Sequence, residues 1–219
     1  MYSLAFDTTA AACSAILRQD RKTLEKFSQN MAFGQSEVLI PAIQKILANH
    51  GLTVADLALM AVCVGPGSFT GVRSSIAAAR AFGIAYPELT LAGVTAFDAY
   101  INELRPDEIA GYNVVLIETK RDDYYYQIYD AALKKITPPS AGYYDEIIDQ
   151  LRGKKVTFVG DGTERFLSAP SGLSLHCIKA MDTLPVENVA ACAYEQFQAK
   201  KTDFPKPLYL RAPDVCVKV

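Results

Sequence analysis

The chain has 219 residues, of which 50% are hydrophobic and 21% are charged, as is typical of a globular protein. Its formal net charge of −2 provides no general attraction to nucleic acid, whose binding proteins usually carry basic surfaces. No apolar run reaches the roughly 18 residues of a membrane-spanning helix, and five scattered cysteines without a C-x-x-C pair indicate reduced thiols rather than a disulfide framework.

The N-terminal segment is apolar but has no basic start, and Asp7 interrupts it, so it does not resemble a signal peptide. We therefore expect a cytoplasmic protein without a membrane partner. The two histidines, His50 and His176, lie far apart and have no Cys/His cluster near them. The sequence accordingly predicts no histidine-based metal site.

The N-terminal half predicts the element order βββαβαβα. Alternating apolar and polar residues indicate strands at 2–7, 13–17 and 23–27. A helix should run from Ser36, as its N-cap, to about His50, where Gly51 is a natural stop. Pro41 should distort the first turns of this helix. The remaining elements are a strand at 59–64, a helix at 70–85, a strand at 90–94 and a helix at 96–103.

Residues 106–112 are polar and rich in turn formers, which predicts a linker between a domain at 1–105 and a domain at 112–219. After this linker the order βββαβαβα recurs in a weaker pattern. We expect the terminal helix or tail to pack back on the first domain. The predicted elements are strands at 113–117, 124–129 and 133–137, a helix at 143–151, a strand at 156–159, a helix at 163–168, a strand at 173–178 and a helix at 186–200.

One local match supports an internal duplication. The stretch LAFDTTAAACSAIL (4–17) lies over VLIETKRDDYYYQI (115–128) without a gap, so that Asp7 meets Glu118. A chance likeness of two strand–turn–strand units is the alternative, but the repeated element order favours duplication. Two such α/β lobes are typical of the actin-like, or ribonuclease-H-like, fold, in which acidic turns of both lobes face nucleotide phosphates across a cleft. A fold does not by itself specify a function.

The stretch VCVGPGSFTGVRSS, residues 62–75, places three glycines between a predicted strand and helix. This is the form of a phosphate cradle, because glycines let amides point at an anion and a helix N-terminus favours negative charge. Strict motifs fail, however: Thr70 replaces the third glycine of G-x-G-x-x-G, and Val72 replaces the lysine of a P-loop. The loop is therefore a reduced cradle or a tight strand-to-helix connection. The candidate residues are Asp7, Thr8, Thr9, Gly65, Gly67, Ser68, Gly71 and Arg73.

The second half argues against a complete ATP site. The turn 120–123 contains two aspartates and no glycine, and aspartates repel a polyphosphate unless a metal intervenes. In VGDG, at 159–162, Asp161 would obstruct an adenosine, and an ordinary turn is the simpler interpretation. The aromatic stretch RDDYYYQIY fits a strand with packed tyrosines better than a base-stacking surface.

Four stretches of the chain resemble the TsaB (YeaZ) family, which bacteria need to make threonylcarbamoyladenosine on tRNA. They are FDTTAAACSAIL, QSEVLIPAI, GPGSFTGVRSSIAAARAFGIA and PLYLRAPDV, and the resemblance runs from residue 4 to residue 215. GPGSFTGVR is highly specific and the others are moderately so. Gln35 stands where the family usually has a histidine, which affects only the expected helix cap.

The resemblance implies a glycoprotease-like paralogue of the catalytic TsaD subunit that shares its fold. TsaD-like proteins carry two metal-binding histidines, four residues apart, on the helix after the fifth strand. This chain has Ala96 and Tyr100 at those positions, and neither side chain replaces an imidazole ligand. We therefore expect a pseudo-enzyme with no metal and no cofactor, apart from weak binding of ATP or ADP within a complex.

The resemblance also implies a non-catalytic scaffold that binds a TsaD-like subunit and is joined by a TsaE-like ATPase. That complex transfers a threonylcarbamoyl group to the adenosine next to the anticodon, and tRNA contacts this chain at most indirectly. An apolar helix pair should bind the partner, or form a homodimer when alone, through Ser36, Leu39, Ile43, Ala78, Ala81 and Ala85. The first alternative is a stand-alone actin-fold ATPase or small-molecule kinase. A metallopeptidase is a second alternative, which the sequence disfavours because the chain has no H-E-x-x-H motif.

Overall fold

Each half of the chain forms one mixed five-stranded sheet in the computed structural model, which describes residues 1–211. The first sheet contains β1 (Tyr2–Asp7), β2 (Ala12–Gln19), β3 (Lys22–Asn30), β4 (Leu57–Cys63) and β5 (Thr90–Val94). Its order is β3-β2-β1-β4-β5. Short turns connect β1, β2 and β3, so these strands pair antiparallel, whereas helical crossovers bring β4 and β5 parallel to β1.

The helices of the first half are α1 (Gln35–Asn49), α2 (Phe69–Ala85) and α3 (Ala96–Ile101). The predicted cap at Ser36 is wrong: the N-cap is Gly34, two residues earlier, whose φ of 86° suits glycine, and α1 begins at Gln35. Pro41 lies inside α1, which continues through it. Ser68 caps α2, because its hydroxyl accepts a hydrogen bond from the amide of Gly71.

The second half repeats this arrangement. Its sheet has the order β10-β9-β6-β7-β8, and residues 212–219, the end of the predicted second domain and of the PLYLRAPDV stretch, lie outside the described residues. No helix within residues 1–211 is long and apolar enough to cross a membrane. The elements are β6 (Tyr112–Glu118), β7 (Asp123–Asp130), β8 (Ser140–Tyr143), α4 (Tyr144–Leu151), β9 (Lys155–Gly160), α5 (Thr163–Leu167), β10 (Ser174–Ala180) and α6 (Val186–Gln198).

The third strand of the second half does not lie at 133–137, as predicted from its apolar residues, but at β8. The carboxylate of Asp130 accepts hydrogen bonds from the amides of Ala132 and Lys134. These bonds hold the residues after β7 in a turn, and only an isolated bridge between Tyr129 and Lys135 forms there.

The two sheets have the same topology, which confirms the predicted pair of βββαβαβα lobes. Written from β8, the second sheet reads β8-β7-β6-β9-β10, and each of its strands takes the place of the strand five numbers lower in the first. Asp7 is the last residue of β1 and Glu118 is the last residue of β6. The acidic residues that the sequence overlay paired therefore occupy equivalent places.

A single apolar cluster joins the two sheets. It contains Ala61 from the first sheet and Val159 from the second, together with most of α3 and the buried face of α6. Although α6 follows the second sheet in sequence, it packs against β1, β2, β4 and β5 and against α3. The two halves thus share a core instead of meeting only at their surfaces.

Residues 203–211, which we call the strap, run from the first sheet to the second. The amide of Gly93 donates to the carbonyl of Asp203 (2.6 Å), and the amide of Leu208 donates to the carbonyl of Val64 (2.9 Å). At the far end, Arg211 forms an ion pair with Asp123 at the start of β7. The strap therefore extends the carboxyl edge of β4 and β5 and then crosses to the second half.

Candidate functional site

The glycine loop of residues 65–71 packs directly on the turn that follows β1. A β-carbon on Gly71 would lie 1.9 Å from the carbonyl oxygen of Thr8, and a β-carbon on Gly67 would lie 2.6 Å from that of Thr9. Both distances are shorter than real β-carbon contacts, so only glycine allows this approach of backbone to backbone. These two glycines serve a contact within the chain.

The carboxylate of Asp7 is bound by the same turn. Asp7 is 1% exposed and accepts hydrogen bonds from the amide (3.0 Å) and the hydroxyl (2.6 Å) of Thr9. Burial raises the pKa of Asp7 from its usual value, and the bonds from Thr9 oppose that rise. Asp7 therefore acts here as the acceptor of an internal turn.

The polar groups of the glycine loop are also used inside the chain. The amide of Ser68 donates to the carbonyl of Thr9 (2.8 Å), and the amide of Val72 donates to the carbonyl of Ser68 (2.8 Å). The hydroxyl of Thr8 donates to the carbonyl of Gly71 (2.7 Å). The bonds of Ser68 and Thr8 tie the loop to the turn after β1, which favours a tight strand-to-helix connection over an anion cradle. Gly65 is buried, and a β-carbon on it would lie 3.3 Å from the carbonyl oxygen of Leu208 in the strap.

The charge of Arg73, which the sequence assigned to the candidate cradle, is directed elsewhere. Its guanidinium lies 3.8 Å from the centre of the Phe69 ring, and its Nε donates to the hydroxyl of Tyr209 (3.1 Å). The rings of Phe69 and Tyr209 are themselves 5.4 Å apart. Arg73 thus holds the strap against the beginning of α2.

The equivalent turn of the second half is filled by its own ion pair. Glu118 accepts hydrogen bonds from the Nε (2.6 Å) and Nη2 (2.9 Å) of Arg165 and from the amide of Lys120 (2.6 Å). The amide of Glu118 donates to the carboxylate of Asp161 (3.0 Å). Lys120 has a φ of 57°, which is the left-handed geometry for which glycine would have been the easier residue.

Ala96 and Tyr100, the positions at which a TsaD-like metal site was considered, are each 1% exposed and lie in the shared apolar cluster. In the part of the chain that the structure describes, no three His, Cys, Asp or Glu side chains are grouped so that they could hold a metal ion. The helix α3 is therefore a packing element between the two sheets.

The predicted interface residues divide into two groups. Ser36, Ala81 and Ala85 are exposed and Ala78 is half-buried. Leu39 and Ile43 are 2% and 0% exposed, so the prediction that they face a partner is corrected: they fill the core between α1 and the first sheet.

Sequence reasoning missed two strongly exposed apolar side chains, one just before α1 and one within α2. Phe33 precedes α1 and is 88% exposed, and Ile84 in the last turn of α2 is 83% exposed. An apolar groove of about 490 Å³ adjoins Ile84. The helical spacing of Ala77, Ala81 and Ile84 was a signal for this exposed side of α2, although the sequence alone did not say which side is buried.

A family model described as "TsaD: tRNA N6-adenosine threonylcarbamoyltransferase" matches residues 32–214. The tRNA threonylcarbamoyladenosine biosynthesis protein TsaB of Escherichia coli is 29% identical over 224 residues, covering 96% of this chain and 95% of its own length. TsaB of Haemophilus influenzae is 28% identical over 226 residues, with shares of 95% and 92%. The chain belongs to the TsaB (YeaZ) family.

Two solved structures show the same fold as this chain. YeaZ from Pseudomonas aeruginosa matches with a TM-score of 0.80 and 19% identity, covering 95% of this chain and 99% of that one. The activator of 2-hydroxyisocaproyl-CoA dehydratase from Clostridium difficile, solved with bound ADPNP, matches with a TM-score of 0.52 and 9% identity, covering 92% and 97%. At these identities the likeness establishes the fold alone, and it confirms the predicted actin-like architecture.

Proposed function

We propose that this chain is a non-catalytic scaffold subunit in the synthesis of threonylcarbamoyladenosine on tRNA. Members of its family in Escherichia coli and Haemophilus influenzae are named for that biosynthesis. In this proposal the chain binds a TsaD-like catalytic subunit, and a TsaE-like ATPase joins the pair. The transfer of the threonylcarbamoyl group takes place on the TsaD-like subunit, so that tRNA contacts this chain at most indirectly.

The observation that carries the proposal is that the turn after β1 makes its hydrogen bonds and packing contacts within the chain. In an actin-fold ATPase, a carboxylate and a glycine loop at this place would face phosphate. Here Asp7 is bound by Thr9, and the glycines pack on the Thr8–Thr9 backbone. A stand-alone ATPase or small-molecule kinase, the alternative function, would require this contact to open.

The partner surface that we propose is the exposed side of α2. Ala81 and Ala85 leave room for a second helix to approach closely, and Ile84 provides an apolar contact at the end of the same side. The groove beside Ile84 is lined by Leu89, Leu91 and Phe204 among others. Ile84 is 83% exposed and adjoins this apolar groove, and a continuous apolar surface supports a partner site where a single exposed residue would not.

Two charge substitutions on α2 test the surface. Ala81→Glu should leave the fold intact and weaken binding of the TsaD-like subunit by about 100-fold, because an unpaired charge in a packed interface costs about 3 kcal/mol. Ala79→Glu should instead unfold the chain, since Ala79 is 0% exposed. Ala131→Glu, in an exposed turn after β7, is the matched control and should change neither property.

The readouts are thermal melting by circular dichroism and the mass of the mixed complex by light scattering. Self-association of the chain alone should weaken together with partner binding, because a homodimer would use the same surface. If folded Ala81→Glu and Ala85→Glu variants both bind the partner normally, the surface is wrongly assigned. Titration of the isolated chain with ATP and Mg²⁺ should show only weak binding, and sub-micromolar affinity would favour the ATPase or kinase.

A further inference from the structure

The helix α3 belongs to the first half of the chain but lies across the second sheet. It packs against β6 and β9, which are neighbours in that sheet. Phe97, Ala99 and Tyr100 belong to the apolar cluster that the two halves share, and they are at most 1% exposed. Apolar contacts have no preferred direction. Packing alone would allow α3 to slide or rotate on the sheet, so its position depends on directional bonds as well.

A lysine from each side of this pair of strands reaches one end of α3. The sheet order places β10 beside β9 and β7 beside β6. Lys179 lies in β10, and Lys135 follows β7 and forms an isolated bridge with Tyr129. The amine of Lys135 lies 2.9 Å from the carboxylate of Asp98, in the first turn of α3. The amine of Lys179 donates to the carbonyl of Glu103 (2.7 Å), two residues after the helix ends.

The contact of Lys179 is the stronger of the two. Its amine also donates to the carboxylate of Glu108 (2.9 Å), and these two side chains are only 22% and 11% exposed. The amide of Arg105, together with the amine of Lys179, lowers the pKa of Glu108, so this carboxylate is ionised at neutral pH. Charged hydrogen bonds that are shielded from water are stronger than exposed ion pairs. The side chain of Lys135 is 50% exposed, and its ion pair should therefore contribute less.

Further hydrogen bonds attach the surroundings of α3 to other elements. From α6, the side-chain amide of Asn188 donates to the carbonyl of Ala99 (3.0 Å) and to the carboxylate of Glu103 (3.0 Å). From β9, the hydroxyl of Thr157 donates to the carbonyl of Glu108 (2.6 Å), which lies in the predicted linker. The connection between the two halves is thus bonded to α6 and to the second sheet, whereas a hinge needs freedom to change its backbone angles.

We propose that Lys135 and Lys179 hold α3 at a fixed angle across the second sheet, so that the two halves of the chain move as one rigid body. Closure of two lobes around a ligand requires one lobe to rotate about a hinge. Such a rotation would move α3 along the sheet and break the bonds of both lysines, because they act at opposite ends of the helix. The chain therefore presents its surfaces in a constant relative orientation. This inference does not depend on which partner binds α2.

Residual dipolar couplings of the backbone amides measure the relative motion of the two halves in the full chain. Each coupling reports the direction of an N–H bond in a weakly aligned sample, and the couplings of β1–β5 and of β6–β10 are fitted separately. A rigid body gives the same alignment tensor for both sheets, whereas independent motion reduces the tensor of one of them. We expect one tensor for the wild type. Two tensors of different magnitude in the wild type overturn the proposal.

Substitution by methionine, which removes the charge but keeps most of the side-chain length, tests the two lysines. The double variant Lys135→Met/Lys179→Met should give two different tensors. Lys134→Met is the matched control, because Lys134 directly precedes Lys135 and is exposed, and this variant should keep one tensor. A folded double variant that also keeps one tensor overturns the proposal, since the apolar core alone would then fix the two halves.

Hydrogen exchange of the single variants separates the two contributions and remains readable if the double variant does not fold. Lys179→Met should accelerate exchange of the Glu103 amide, which donates to the carbonyl of Tyr100 (3.0 Å), by about tenfold or more, as expected for the loss of a charged hydrogen bond. Lys135→Met should accelerate exchange of the Ala99 amide by less than about fivefold. Unchanged exchange of the Glu103 amide in Lys179→Met would show that Lys179 does not hold the end of α3, and the proposal would be wrong.

Discussion

The carbonyl oxygen of Thr8 lies 1.9 Å from the place that a β-carbon on Gly71 would occupy. Two separate strands, β1 and β4, thereby bring their following turns into direct backbone contact. The hydroxyl of Thr8 strengthens the contact by donating to the carbonyl of Gly71 (2.7 Å). The most specific stretch of this sequence is thus a packing element at its centre.

Gly71→Ala should destabilise the chain strongly. The added methyl group would overlap a backbone carbonyl that cannot rotate away, so the turn after β1 or the start of α2 must move, at a cost of about 3 kcal/mol. Urea denaturation measures the free energy of unfolding. Gly111→Ala is the control, because nothing lies within 4 Å of its added β-carbon, and it should change stability by less than about 0.5 kcal/mol. Equal stability of the two variants would contradict the packing role of Gly71.

Thr9→Val should destabilise the chain more at high pH than at low pH. The substitution removes the hydroxyl that donates to Asp7 at 2.6 Å, and the already raised pKa of Asp7 should rise further. Stability is then lost as pH rises through that pKa, and the loss at about pH 8 should be about 2 kcal/mol. Urea denaturation at about pH 5 and pH 8 gives the difference.

The control for this pH effect is Thr53→Val. Thr53 donates to Asp56 at 2.9 Å, but this pair is exposed and the hydrogen bonds from Thr53 lower the pKa of Asp56. Asp56 stays ionised over the tested range. Removing the Thr53 hydroxyl should therefore lower the free energy of unfolding by the same small amount at both pH values. A Thr9→Val cost that is likewise independent of pH would show that Asp7 does not titrate there.

Arg80→Ala should loosen the strap. Arg80 donates from Nε (3.2 Å) and Nη2 (2.7 Å) to the carbonyl of Pro205, and charged hydrogen bonds of this kind contribute about 1.5–3 kcal/mol. Hydrogen exchange should accelerate at the amides of Gly93 and Leu208, which are donors in the contact between strap and sheet. Arg152→Ala, which removes only an exposed ion pair with Asp149, should leave both amides protected. Unchanged protection in Arg80→Ala would mean that the strap is held by its other contacts.

The purified chain should contain no stoichiometric transition metal. At the positions considered for ligands, Ala96 has only a methyl group, and Tyr100 is a phenol with a pKa raised by burial, which makes it a poor ligand. Elemental analysis by mass spectrometry checks this expectation. One tightly bound zinc or iron per chain would show that a metal site exists elsewhere.

Much of the architecture was determined by the sequence itself. Alternating apolar residues placed β1, and the gapless overlay of 4–17 on 115–128 paired Asp7 with Glu118 at equivalent strand ends. These features depend on local periodicity and on repetition, both of which are visible in a single chain. The prediction failed at 133–137, where apolar spacing suggested a strand but the side chain of Asp130 forms a turn.

Only the tertiary structure decided what the glycines contact and which side of each helix is buried. Leu39 and Ala81 both lie on helices that looked apolar, yet the first fills the core and the second faces outward. The contact between Thr8 and Gly71 was equally invisible, because they lie far apart in sequence and follow different strands. Such contacts follow from the angle at which packed elements cross, and that angle is set by the whole core and not by any local pattern.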